Sequence, residues 1–123
     1  MGGQYFFTVD EIEIRNEILY LIESKHTKSG KLPSTGDIKD GLLKMILYTN
    51  LENVSMGNSF YKCLPILQLT SGKIEGKISS ISEIEDRERF FHLNKLNKRQ
   101  IGLLQNLFLE AKENNFIVSL GRI

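Results

Sequence analysis

Val9-Asp10-Glu11-Ile12-Glu13-Ile14-Arg15-Asn16-Glu17-Ile18-Leu19-Tyr20-Leu21-Ile22-Glu23-Ser24-Lys25 is the stretch on which the reading of this chain turns. Residues 5–14 alternate and are rich in aromatic and β-branched types, the pattern of a strand. Asn16, among charged neighbours, supplies a turn. Ile18-Leu19-Tyr20-Leu21-Ile22 is a second apolar run with little alternation, as expected of a strand buried on both faces at the centre of a sheet. Together these runs predict a β-hairpin with its turn at residues 15–17, which sets Asp10 beside the Glu23-Ser24-Lys25 end of the second strand. Side chains alternate across a strand, so Glu23 and Lys25 share a face. Glu11 and Glu13 then point away from Asp10 as solvent-facing charges, and Glu13 replaces Asp10 only if the register slips by one.

Working outward, residues 26–33 form a polar loop with Gly30 and Pro33. Ser34, with Asp37 three residues on, is an N-cap with an acidic variant of the capping box. The helix that follows should end near Asn50, with Ile38, Leu42, Met45, Ile46 and Thr49 on one face, broadened by Leu43 and Leu47. Residues 53–59 read as a turn. Pro65 interrupts the next apolar run, which predicts a strand at Ile66–Thr70 on an edge of the sheet. Residues 71–80 read as a mobile excursion and 82–93 as a helix. A second helix should run from Lys98 to Asn114, capped by Asn97 with Gln100 at the third position. Its stripe is Ile101, Leu104, Phe108 and Ala111, with Leu107 beside it. Phe116–Leu120 closes the chain as a short strand. The expected order is that of a mixed α/β layered domain.

A length of 123 residues suits one domain spanning 1–123, with a single core. No apolar run approaches the roughly 18 residues that cross a membrane. Residues 1–4 lack the basic and apolar regions of a signal peptide, and Phe6 removes the Ser or Thr of an acylation site. The single Cys63 excludes an internal disulfide and reads as core. A cytoplasmic location follows as the expectation. The net charge of +1 gives no global electrostatic case for nucleic acid. Locally, Lys25, His26, Lys28 and Lys31 cluster just after the carboxylates, and Lys95, Lys98 and Arg99 form a second basic group.

The hairpin end carries the chemistry. Two carboxylates are hard oxygen ligands suited to Mg²⁺, which keeps several waters and leans on substrate phosphate. A metal so held lowers the pKa of a bound water and neutralises charge developing on a phosphate. The Lys25 ammonium beside it can orient the attacking water and stabilise the transition state. The backbone carbonyl of Ser24 is a natural further ligand. Lys28 and Lys31 flank this end as phosphate contacts, and His26 and Lys39 are further DNA-binding candidates beside their plainer readings as exposed polar residues. Asp37 and Asp40 fit the acidic start of a helix, Lys44 fits its solvated face, and His92 has no evident partner.

On Asp10 and Glu23-Ser24-Lys25, the chain resembles the PD-(D/E)XK nuclease superfamily, whose core is a helix, a three-stranded meander, a crossover helix and a further strand. Holliday-junction resolvases of that superfamily have a closely similar hairpin spacing. The longer stretch Leu21-Ile22-Glu23-Ser24-Lys25-His26-Thr27-Lys28, through Leu32-Pro33-Ser34 to Asp37-Ile38-Lys39-Asp40-Gly41-Leu42-Leu43-Lys44-Met45, is more similar to type II restriction endonucleases. The resemblance covers roughly residues 5–50. It implies a restriction-endonuclease-like mixed sheet flanked by helices and a Mg²⁺-dependent DNA endonuclease, with Mn²⁺ as substitute. Asp10 and Glu23 would be metal ligands and Lys25 the catalytic lysine. Val9 stands where the family usually has proline, a position that ligates nothing. The family's helix before the first strand is not matched, which implies a longer enzyme or a partner that supplies it. Restriction-type cutting of both strands implies a homodimer. Two other readings remain open: an inactive nuclease remnant that serves as a DNA-binding or assembly module, and an unrelated interaction or immunity protein in which Glu23 and Lys25 form a surface ion pair.

Overall fold

The computed structural model describes residues 9–51, 54–56 and 59–122. The expected hairpin is present: β1 (Glu11–Arg15) pairs antiparallel with β2 (Ile18–Thr27), with Ile12 opposite Leu21 and Arg15 opposite Ile18. Asn16 and Glu17 both have positive φ, 50° and 68°. That is the two-residue turn whose backbone twist matches a tight hairpin. Residues 5–8 of the expected first strand lie outside the described residues.

Helix α1 (Thr35–Thr49) then crosses over, and β4 (Ser59–Ser71) returns parallel to β2, with Ile22 opposite Ile66. Ser34 Oγ accepts from the Asp37 N–H at 3.1 Å, the predicted N-cap. β3 (Val54–Met56) pairs antiparallel with the start of β4, where a turn was expected; residues 57 and 58 lie outside the description. After β5 (Lys77–Ser79) come α2 (Ile84–Leu93), α3 (Lys98–Asn114) and β6 (Ile117–Arg122). β6 lies parallel to β4 and antiparallel to β5, so the sheet runs β1-β2-β4-β6-β5. The chain is an α/β domain with a mixed sheet and helices, as expected.

All three helices contribute to one core against one face of the sheet. Leu19 and Leu21 of β2, Leu67 and Leu69 of β4, and Val118 and Leu120 of β6 meet Ile38, Met45 and Tyr48 of α1 and Leu104, Leu107, Phe108 and Ala111 of α3. Phe90 and Phe91 of α2 close the far side. α3 begins as read from sequence: Asn97 and Gln100 exchange side-chain and backbone bonds at 2.9 and 2.8 Å. It ends on Asn115 in the left-handed region, φ 60°.

Four expectations are corrected. β4 is central rather than an edge. Pro65 sits one residue before the β6 ladder begins at Ile66, so its nitrogen, which has no hydrogen to donate, can face a side with no partner there. β2 buries Leu19, Leu21 and Glu23 on its helix face, whereas on the other face Ile22 is buried but Ile18 and Tyr20 are only half-buried. Residues 71–80 are tied down: Ile74 and Ile78 are buried, and the buried Asn94 side chain bonds both the N–H and the carbonyl of Glu75. The buried face of α1 is Ile38, Gly41, Met45 and Tyr48, while Leu43, Ile46 and Leu47 are exposed.

Gly41 explains that rotation. A Cβ there would lie 2.5 Å from Leu67 Cδ1, and Leu67 is fully buried. The bare glycine lets α1 sit closely on β4. Gly41→Val should therefore lower the unfolding free energy by about 2–3 kcal/mol through overpacking. Urea denaturation should show this, with part of the loss recovered in Gly41→Val/Leu67→Ala.

Candidate active site

The helix contact brings the polar flank of α1 over the C-terminal half of β2. Glu23 is 1% exposed, although it is a carboxylate. Burial of a charge is tolerated only where partners replace water, and α1 supplies them. Lys44 Nζ donates to Glu23 Oε2 at 2.9 Å, and the Tyr48 hydroxyl donates to Oε1 at 3.4 Å. One turn earlier on α1, Asp40 Oδ2 accepts from Lys25 Nζ at 2.7 Å and stands 3.7 Å from Lys44 Nζ. Glu23 and Lys25 thus lie on one face, as predicted, but each is paired with α1 rather than with the other.

Asp10 completes the group from the hairpin's other side. Asp10 is the residue just before β1, whose ladder with β2 begins at Glu11–Ile22, and its Oδ2 accepts from the Ser24 N–H at 2.9 Å, next to Glu23 in the chain. The N–H and carbonyl of a strand residue point to the same side, so the Ser24 carbonyl also faces the Asp10 side.

Charge placement shows in the acidities. The Lys25 ammonium, by hydrogen bond and by charge, holds the Asp40 carboxyl below its ordinary value. The hydrogen bond to Glu23 raises Lys44 above that of a free lysine. Burial, reinforced by the negative charge of Glu23 with a smaller contribution from Asp10, pushes the Tyr48 hydroxyl up to about 12. Tyr48 therefore stays protonated and donating at neutral pH.

The remaining candidates lie elsewhere. His26 Nδ1 is 3.0 Å from Thr70 Oγ1 on the sheet face opposite Lys25. Lys39 is exposed on the outer side of α1, and Lys28 is exposed in the loop beyond β2. Lys31 Nζ donates to the carbonyls of Asn94 and Lys95 at 2.8 and 3.2 Å, joining its loop to the end of α2. His92 is exposed in the last turn of α2.

Sequence reasoning missed Asp40, Lys44 and Tyr48 as members of the site. Their spacing, four residues apart at each step, was the available signal: it puts all three on one helix flank. The apolar residues between them drew attention to a different face.

Two carboxylates at adjacent strand positions with a neighbouring carbonyl form an oxygen donor set of the kind Mg²⁺ takes. Each Glu23 oxygen holds one hydrogen bond and retains a second lone pair. Among the described residues no group of three His, Cys, Asp or Glu side chains lies close enough to hold a metal, so waters or substrate would have to complete the shell. The donors fit a hard divalent cation bound by few protein ligands.

Compared with protein-family models, with curated proteins and with solved structures, the chain matches none. Among the described residues no helix is long and apolar enough to cross a membrane.

Two outcomes follow. Lys44→Met leaves the Glu23 carboxylate buried with Tyr48 alone and should cost about 3 kcal/mol. The pair Glu23→Gln/Lys44→Met should recover most of it, as read by chemical denaturation. Asp40, whose acidity is raised, contributes stability above its ordinary value of 3.8 that disappears as pH falls through its lower folded value. Asp40→Asn should therefore be less stable than the parent at neutral pH, and the difference should close in strong acid when thermal midpoints are compared across pH.

Proposed function

We propose that this chain is a Mg²⁺-dependent DNA endonuclease of the restriction type, cutting phosphodiester bonds at Asp10, Glu23 and Lys25. The observation that carries the reading is the juxtaposition across the hairpin: Asp10 bonds the backbone N–H of Ser24, the residue between Glu23 and Lys25, while Glu23 and Lys25 both reach α1 from one face of β2. The hairpin, crossover helix and parallel return of β1, β2, α1 and β4 also agree with the later part of the order that the resemblance implies, while its first helix and the first strand of its meander have no counterpart among the described residues.

In this reading Asp10 and Glu23 hold the metal, with the Ser24 carbonyl as a further ligand. When bound, Mg²⁺ supplies a lowered pKa for its water and neutralises charge on the phosphate; Mn²⁺ would substitute. Lys44 and Tyr48 keep the Glu23 carboxylate fixed in place before substrate arrives. Asp40 holds the Lys25 ammonium in place, so that its charge is aimed before the reaction rather than recruited during it. Lys44 has a second effect: its ammonium occupies one side of Glu23 and competes with a metal for it. Cutting both strands of a duplex calls for two copies, each with one such set.

A second reading has its own support. The Lys25–Asp40 and Lys44–Glu23 pairs satisfy the site without any ion, as a structural network in a DNA-binding or assembly module would. The third reading, an interaction protein with a surface Glu23–Lys25 pair, is disfavoured by the burial of Glu23 and by its pairing with Lys44.

The test is cleavage of duplex DNA in Mg²⁺, Mn²⁺ or EDTA. Cutting should need metal, vanish in Glu23→Ala and fall about 100-fold or more in Lys25→Ala. A folded chain that binds Mn²⁺ without cutting supports the binding module, and one that does neither sinks the nuclease reading. Lys44→Met should gain more thermal stability from Mn²⁺ than the parent does, because the competing ammonium is gone.

A further inference from the structure

The two basic groups that lie far apart in sequence meet in the fold. Lys31 reaches across to the Asn94 and Lys95 carbonyls, tying the loop before α1 to the end of α2, from which α3 begins three residues on. Between them is a cavity of about 610 Å³, bounded on one side by Gly30 to Thr35 and on the other by Lys98, Arg99 and Asn106. Three cations and no carboxylate stand among the described residues that line it, in a chain whose net charge is only +1.

The placement of Lys98 and Arg99 runs against local electrostatics. They open α3, whose first turn has no acidic residue, and cations at a helix start oppose its dipole. α1 and α2 both carry acids there. A residue choice that works against its own helix is expected where something else uses it. Both side chains are exposed, so packing does not account for them.

The cavity also has a position relative to the candidate active site. It adjoins the first residue of α1, while Asp40, which holds Lys25, lies five residues further along the same helix. That is about 8 Å along the helix axis.

We propose that the cavity between the 30–35 loop and the start of α3 binds a backbone phosphate of duplex DNA, held by Lys98 and Arg99, apart from the bond presented to Lys25. Lys31 acts as a positioning residue, fixing one wall through the end of α2. The proposal deepens the nuclease reading and rests on it for the identity of the polyanion and for the second phosphate.

The experiment is fluorescence anisotropy of a labelled short duplex, titrated with the intact chain in Ca²⁺ at several salt concentrations. The comparison is between Lys98→Ala/Arg99→Ala and a charge-matched control at the opposite end of the molecule, Lys62→Ala/Lys112→Ala. The first pair should weaken binding about tenfold or more and make the salt dependence shallower by roughly one phosphate's worth. The control should change little. The thermal midpoint of the first variant should hold or rise, because unfavourable charge has left a helix start, so lost binding cannot be laid to misfolding. Equal weakening in both variants, an unchanged affinity in the first, or a parent chain that does not bind duplex overturns the proposal. Cleavage in Mg²⁺ is scored separately on the same preparations. A chain that cuts but ignores Lys98 and Arg99 loses the cavity and keeps the nuclease. One that binds through them and never cuts keeps the phosphate site and loses the nuclease.

Discussion

A carboxylate shut away from water must be given partners, and Glu23 is such a carboxylate. It lies on the core face beside Leu21 of β2 and Leu67 of β4, yet its oxygens are satisfied by Lys44 and Tyr48 from α1. The requirement fixes how the helix is turned and how far along the sheet it lies. Gly41 permits the approach by leaving room for Leu67. Once α1 is seated this way, Asp40 falls over Lys25 and the polar flank becomes one network. Apolar burial alone would tolerate several rotations of this helix, since Leu43, Ile46 and Leu47 offer a rival apolar face. The buried ion pair discriminates among them, a role in specificity that such groups can play even where their net stabilisation is small.

Much of this was legible in sequence where short-range chemistry decides. The turn at Asn16, the Ser34 and Asn97 caps and the register that brings Asp10 to Glu23 all depend on residues within a few positions of one another. The failures arose where a distant partner decides. Pro65 reads as an edge marker, and locally it is one, because β6 joins only at the next residue; nothing near Pro65 announces that β6 will arrive. Residues 71–80 look like a loop by composition, but Asn94 and the α2 phenylalanines hold Ile74 and Ile78 in the core. In the site, Asp10, Glu23 and Lys25 could be grouped from strand geometry, whereas Asp40, Lys44 and Tyr48 required knowing which side of α1 meets the sheet.

The charges of the site form an alternating set rather than a bare acidic pocket. Lys25 and Lys44 are interleaved with Glu23 and Asp40, so these carboxylates are held in place by hydrogen bonds and opposite charge. Fixing the groups in advance lowers the reorganisation a bound substrate must drive. On the proposed reading, the same interleaving would give an incoming cation a competitor in Lys44, setting metal affinity and readiness against each other through one side chain.

Asp10 is delivered by the least secured element of the sheet. β1 is exposed along all five of its residues and is paired only with β2 among the described residues. Strands with few buried contacts open at lower free energy than the core does. Fraying of β1 would carry Asp10 away from Glu23 while α1, β4 and α3 stayed packed. The chain can therefore lose one arm of its carboxylate pair well short of global unfolding. On warming, chemistry that needs both carboxylates would fade before the core melts, and a ligand bridging Asp10 to Glu23 would act as a clasp on the hairpin.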